Sequence, residues 1–219
     1  MNCDVLVVGG GHAGLEAAGA AARMGAATCL ITQKLETIGV LSCNPAFGGP
    51  AKGNLVREVD ALGGFCGRAA DLAARQCRIL GESKGPAARS TRVLVDRAEY
   101  SRLVREMITS RDRLTVLAGE AAEILTRAGR AIGLRLTDGR EFFGGALVLT
   151  GGTFWRARIH RGRESTPAGR RGEAPADFIS QALAGLGHRL GRLSTCTAPR
   201  LKAATVDLAE LEEQPGQPE

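Results

Sequence analysis

The sequence predicts an α/β fold in which a parallel sheet carries helices on both faces and a small antiparallel β excursion is inserted between two of its strands. Three observations carry that expectation. A fully apolar run, Val5 to Val8, leads straight into a glycine-rich turn and then an alanine-rich stretch, the pattern of a buried strand feeding a helix. A second apolar run, Ala27 to Thr32, follows at the spacing of a β-α-β unit. A third, Ala146 to Thr150, comes after several short strand-like segments and ends on the pair Gly151-Gly152.

The first turn reads GGGHAG, from Gly9 through Gly10, Gly11, His12 and Ala13 to Gly14, which is a G-x-G-x-x-G fingerprint. Its spacing has a steric and an electrostatic cause. Gly9 permits the tight strand-to-helix turn, Gly11 lets a pyrophosphate approach the bare backbone, and Gly14 lets the helix lie close to the strand. The helix opening at His12 then offers free amides and the positive end of its dipole to the phosphates. With 30 glycines in 219 residues the motif alone carries little weight; the apolar strand before it and the helix after it give it meaning. A generic dinucleotide site also places an acid at the end of the second strand to hold the ribose. Thr32 and Gln33 stand there instead, and the nearest acid, Glu36, comes late.

Beyond that strand, Leu41 to Gly53 is expected to be an irregular loop against a ligand, because its prolines and glycines suit neither helix nor strand. Cys43 lies in it, either as an activated thiol nucleophile or as a structural thiol, and the residues alone leave both open. Asn54 is expected to cap a helix with an apolar stripe of Leu55, Val56, Val59 and Leu62, stopped at Gly63-Gly64. A further helix is expected over Ala69 to Leu80. Ser83 to Arg92 then breaks the pattern and sets Lys84, Arg89 and Arg92 on irregular backbone. Asp96 and Glu99 read as a capping box for a helix in which Leu103, Val104, Met107 and Ile108 recur at helical spacing.

Leu114 to Leu117, Ala121 to Leu125, Ala131 to Leu136 and Arg140 to Phe143 read as short strands with turns at Gly129-Arg130 and Asp138-Gly139. The apolar strand Ala146 to Thr150 and its glycines, with Gly151 at the carboxyl end, then face the ligand as strand ends do in open α/β sheets. That layout fits one half of a two-dinucleotide flavoprotein better than a compact NAD dehydrogenase. Arg156, Arg158, His160, Arg161, Arg163, Arg170 and Arg171 make the densest basic run, suited to RNA phosphates or to a solvated loop. Asp177 to Leu186 reads as an amphipathic helix. Residues 1–206 are expected to form one Rossmann-like domain, and 207–219, rich in Glu, Gln and Pro, a disordered tail.

Bulk properties bound the remainder. A chain that is 44% hydrophobic buries one substantial core. No apolar run approaches the roughly 20 residues of a membrane span, and no signal peptide precedes the first strand, so a cytoplasmic protein is expected, with no membrane contact. Six scattered cysteines without a C-x-x-C pair exclude a zinc site and a disulfide scaffold, and no metal is expected. The net charge of +6 is compatible with a nucleic-acid partner without demanding one.

With SCNPAFGGPAKG, DALGG, SKGPAARSTR and LTGGTF in place beside GGGHAG, the sequence resembles the N-terminal part of the MnmG (GidA) family from about Cys3 to Leu201. The resemblance implies a Rossmann-like FAD-binding domain of a dimeric flavoprotein. With an MnmE-type GTPase, such proteins use FAD, NADH, methylenetetrahydrofolate and glycine or ammonium to build an aminomethyl substituent on the wobble uridine of tRNA, toward 5-carboxymethylaminomethyl-uridine. It further implies that Gly9 to Gly14 hold the FAD pyrophosphate, that Cys43 is a catalytic thiol, and that Ala122, by its backbone, and Ala176, where many members have a serine, lie against FAD. Ser194 to Arg200, STCTAPR, is an altered form of the family's TGTPPR stretch. Against the family's length the chain reads as truncated, without the NADH-binding insertion or the helical C-terminal region. Two other expectations compete with an active enzyme: a nucleotide-binding remnant that catalyses nothing, and a stand-alone NAD-linked reductase, disfavoured by the missing ribose acid.

Overall fold

A computed structural model describes residues 1–217; Pro218 and Glu219, the end of the tail expected to be disordered, lie outside the described residues. The chain divides into two units, one made of residues 1–40 and 101–192, the other of 41–100 and 193–219.

The first unit is built on a six-stranded sheet of order β6-β2-β1-β9-β8-β7. β1 (Asn2–Val8), β2 (Thr28–Thr32) and β6 (Leu114–Ala118) run parallel, as expected where helical crossovers join them. α1 (His12–Arg23) makes the first crossover and buries Gly14, Leu15, Ala18, Gly19 and Ala22, small residues at helical spacing that bring it close to the strands. α4 (Arg97–Thr109), whose residues from Ser101 on belong to this unit, buries Val104 and Ile108. β7 (Ala121–Arg127), β8 (Arg130–Leu136) and β9 (Glu141–Leu149) form the antiparallel excursion.

The two segments expected separately over Arg140 to Phe143 and Ala146 to Thr150 are one strand. β9 pairs antiparallel with β8 through Glu141, Phe142 and Phe143, then continues in parallel register along β1, from Asn2 opposite Phe143 to Val8 opposite Leu149. Gly144 makes the passage possible: a Cβ there would lie 3.0 Å from Leu6 Cγ. The core gathers Leu6, Val8, Cys29, Ile31, Ala121, Leu134, Leu136 and Phe142 from five strands, with Ile179 of α5 (Phe178–Gly185) closing it.

The second unit holds a three-stranded antiparallel sheet of order β3-β5-β4. β3 (Ala46–Gly48) lies inside the stretch expected to be irregular throughout; Gly48 and Gly49, at φ +82° and +95°, end it where no side chain fits, since a Cβ on Gly48 would meet the Thr91 carbonyl oxygen at 2.3 Å. The helix expected over Ala69 to Leu80 is instead α3 (Cys66–Leu72) followed by β4 (Ala74–Leu80), which pairs with β5 (Ser90–Val95). Cross-strand pairing overrides the helical propensity of an alanine-rich sequence. α2 (Lys52–Ala61) begins after Ala51, so Asn54 lies within it rather than capping it, and of its residues only Gly53 is buried. Arg92 is in β5, not on irregular backbone. Half of the expected capping box forms: Asp96 Oδ1 accepts from the amides of Ala98 at 3.0 Å and Glu99 at 3.1 Å, while the Asp96 amide donates to the Ala73 carbonyl at 2.9 Å.

Candidate dinucleotide site

The glycine turn divides its three key positions between packing and access. Gly9 has φ +114°, and a Cβ on it would stand 2.5 Å from the Thr150 carbonyl oxygen. A Cβ on Gly14 would stand 1.9 Å from the Gly9 carbonyl oxygen, so α1 rests directly on the turn. A Cβ on Gly11 meets no described atom within 4 Å. The turn is therefore closed toward the protein at Gly9 and Gly14 and open at Gly11, where a bulky polar ligand has room to approach the backbone. Among the described residues no side chain caps α1, and its first turn carries no acid. The first bond of the helix is Leu15 N to the Gly11 carbonyl at 3.0 Å, and the amides of Ala13 and Gly14 ahead of it, with the helix dipole, favour an anion.

The turn is braced from two strands. Gly9 N donates to the Ile31 carbonyl at 2.9 Å, and Gly39 N donates to the Gly10 carbonyl at 3.1 Å. Thr150 Oγ1 donates to the Val8 carbonyl at 2.6 Å and lies 3.3 Å from the Gly9 carbonyl. Sequence reasoning read Thr150 only as the end of a strand; a hydroxyl placed just before paired glycines at a sheet's carboxyl edge was the available signal. The register of β9 on β1 brings Gly151 to this edge, with the Trp155 indole lying over it, since a Cβ on Gly151 would fall 1.8 Å from Trp155 Nε1. Ala176 is buried and held to the same segment: its amide donates to the Phe154 carbonyl at 2.8 Å, and its carbonyl accepts from Arg156 N at 3.1 Å.

Ala122 is reached differently. Gly119 N donates to the Thr32 carbonyl at 2.8 Å, and the chain runs from there through Glu120 into β7, where Ala122 lines a cavity of about 480 Å³ with Glu123, Arg135, Leu136, Phe178 and Gln181. At the carboxyl end of β2, where the sequence has no ribose-binding acid, the Gln33 side chain lies by the Glu120 carboxyl. Burial raises the Glu120 carboxyl above its usual range, Gln33 lowers it, and Asp177 raises it. An acid therefore does stand at this strand end, brought from the neighbouring strand's exit rather than from β2 itself.

Cys43 belongs to the other unit, half-buried, with its Sγ 3.6 Å from the Cys196 carbonyl oxygen. The basic run 156–171 is partly committed within the protein. Arg158, in the hairpin of β10 (Arg158–Arg161) and β11 (Glu164–Pro167), donates to Ser165 Oγ at 2.9 Å, and Arg170 pairs with Glu173 at 2.7 Å while stacking over Phe154. That guanidinium holds the Glu173 carboxyl below its usual range. Among the described residues no helix is long and apolar enough to cross a membrane.

A parallel sheet whose first strand enters a helix through such a turn, and whose antiparallel excursion returns as a fourth parallel strand beside the first, defines a Rossmann-like domain of the two-dinucleotide flavoprotein type. The solved GidA of Aquifex aeolicus superposes with TM-score 0.92 at 40% identity, over 99% of this chain and 36% of that one. A GidA-related protein from Thermus thermophilus, at TM-score 0.63 and 24% identity over 85% of this chain and 69% of that one, shares the fold. Residues 4–219 match the family described as glucose inhibited division protein A, and the chain belongs to that family. It is 51% identical over 212 residues to the tRNA uridine 5-carboxymethylaminomethyl modification enzyme MnmG of Thermus thermophilus, covering 97% of this chain and 35% of that protein. With the MnmG of Campylobacter hominis the identity is 47% over 216 residues, covering 99% and 34%. The chain thus spans about a third of the length of the relatives it matches.

Proposed function

We propose that this chain is the FAD-holding part of a cytoplasmic tRNA wobble-uridine modification protein. The observation that carries the reading is the asymmetry of the turn: Gly9 and Gly14 are packed where a Cβ would collide, while Gly11 alone is open. A turn shaped only for packing has no need of that opening, whereas a pyrophosphate has. Membership of the GidA family and the names of the MnmG relatives supply the rest.

In this reading the amides of Gly10 through Gly14 take the pyrophosphate, with His12 and Ala13 in the first turn of the helix. Gly151, Ala176 and Ala122 lie along the remainder of the cofactor. Bound FAD supplies the redox step. Glu120 and Gln33 stand where an adenosine ribose needs hydrogen-bonding partners. Cys43 is the thiol that works beside the uracil ring, and tRNA and an MnmE-type GTPase are the macromolecular partners, with homodimerisation as in the family. NADH serves as the hydride source for the whole protein.

Absorption spectroscopy tests the cofactor assignment. Purified chain is expected to carry, or take up, flavin with its two visible bands, and Gly11→Ala is expected to lose that uptake while remaining folded by circular dichroism. A wild-type chain that stays colourless with excess FAD overturns the reading. For the enzymatic part, the chain co-expressed with the missing two thirds of a relative is expected to restore modified tRNA in a deficient strain, and Cys43→Ser to abolish that rescue.

A further inference from the structure

Cys43 and Cys196 lie 153 positions apart in the chain and touch: Cys43 Sγ stands 3.6 Å from the Cys196 carbonyl oxygen. A second, independent contact holds the same two stretches together, since Arg200 Nη2 donates to the Cys43 carbonyl at 2.9 Å. We propose that Cys43 and Cys196 form a reversible intramolecular disulfide when the protein meets a peroxide.

Standard bond lengths put the Cys43 sulfur within about 6.4 Å of the Cys196 Cα, so rotation of the Cys196 side chain with a shift of its backbone brings the two sulfurs together. Cys196 is free to make that approach. Its thiol is exposed, and residues 193–202 have no regular secondary structure, so no ladder or helix must break for it to turn. The other two cysteines of this unit differ. Cys66 is buried in α3, and Cys77 is fixed in β4, paired with Val93 of β5 and with its carbonyl engaged by Gln217 N.

The chemistry balances with a peroxide as the sole oxidant. The Cys43 thiolate attacks one peroxide oxygen; the O–O bond breaks, and the departing hydroxide takes up a proton to become water. The Cys196 thiolate then attacks the resulting sulfenic sulfur; the S–O bond breaks, the S–S bond forms, and a second water leaves. Two electrons pass from the two sulfurs to the peroxide, and the two thiol protons end in the two waters. The bond takes the Cys43 thiol out of reach of any electrophile. Only that catalytic consequence rests on the role proposed for Cys43 above; the bond itself does not.

Trypsin places Cys43 in peptide 35–52 and Cys196 in peptide 193–200, each without another cysteine. Full-length reduced chain treated with hydrogen peroxide, alkylated and digested without reductant is expected to yield the 35–52/193–200 cross-linked species, which dithiothreitol abolishes. Cys77→Ser is expected to retain it. In Cys196→Ser, and in Cys196→Ala as a second replacement of an exposed side chain, it is expected to vanish while peptide 35–52 accumulates added oxygen. Oxygen addition to peptide 35–52 of the wild type with no cross-link, or a cross-link found only between two chains on non-reducing electrophoresis, overturns the proposal. A colourless preparation that still forms the bond leaves this inference standing and counts against the flavin reading alone.

Discussion

The two units bury their chains by unequal means. The six-stranded sheet of the first is covered by a core drawn from five strands and α5, in which Leu6, Leu134 and Ile179 are essentially inaccessible. In the second, α2 presents Leu55 at 64% and Leu62 at 77% exposure and buries only Gly53. A residue of the same type is thus a structural necessity in one region and a solvated side chain in the other. The glycine turn thus sits on the unit with the buried six-stranded core, whereas the Cys43 stretch is held by a short strand and a few long-range hydrogen bonds.

The contrast is broken most directly by truncation. Leu134→Ala is expected to cost about 2–5 kcal/mol in denaturant unfolding, the range for a fully buried leucine, while Leu62→Ala stays within about 0.5 kcal/mol. Equal losses would mean that the two regions share one core. Next comes a contrast inside the turn itself. Gly14→Ala forces backbone against backbone and is expected to cost about 3 kcal/mol, whereas Gly11→Ala, at φ −81° and open space, is expected to leave the melting temperature unchanged and abolish only flavin uptake. Smaller again, Thr150→Val keeps the shape and removes the hydroxyl that bonds to the Val8 carbonyl, for an expected loss of about 1 kcal/mol in the same assay.

The smallest effects are in pH dependence, where the units respond at opposite ends. Burial pushes the Cys29 thiol from 9.0 up to about 11, so the folded state keeps a proton that the unfolded chain releases between those values. Stability is therefore expected to fall as pH rises from 9 toward 11, and Cys29→Ala to flatten that decline. In the second unit the Glu99 amide and Arg75 hold the Asp96 carboxyl below 3.8. Its contribution is present above that value and lost as pH falls through the lowered one, and Asp96→Asn is expected to shrink this acid-side loss in a pH series of melting temperatures.

Much of the first unit was legible because local pattern and tertiary role agree there. Val5 to Val8 is apolar throughout because a central parallel strand is covered on both faces by packed elements, and the G-x-G-x-x-G spacing encodes a steric demand that the collisions at Gly9 and Gly14 make explicit. Legibility failed where a distant partner decides. Ala74 to Leu80 carries helix formers and becomes a strand because β5 offers a ladder. Asn54 is a good cap by type, yet the backbone reversal at Gly49, with Ala51 at φ +63°, starts α2 earlier. The ribose acid was sought along β2, whereas Glu120 reaches that strand end from a residue 87 positions after Gln33, a pairing no local window contains.

The bond from the Thr150 hydroxyl to the Val8 carbonyl joins residues 142 positions apart. The glycine turn is therefore synthesised well over a hundred residues before its brace. Until then β1 lacks the strand that fixes one of its edges, and the cradle of the turn stays unfinished. Competence to capture the cofactor is accordingly expected late in synthesis, once β9 has docked, rather than when the glycines first appear.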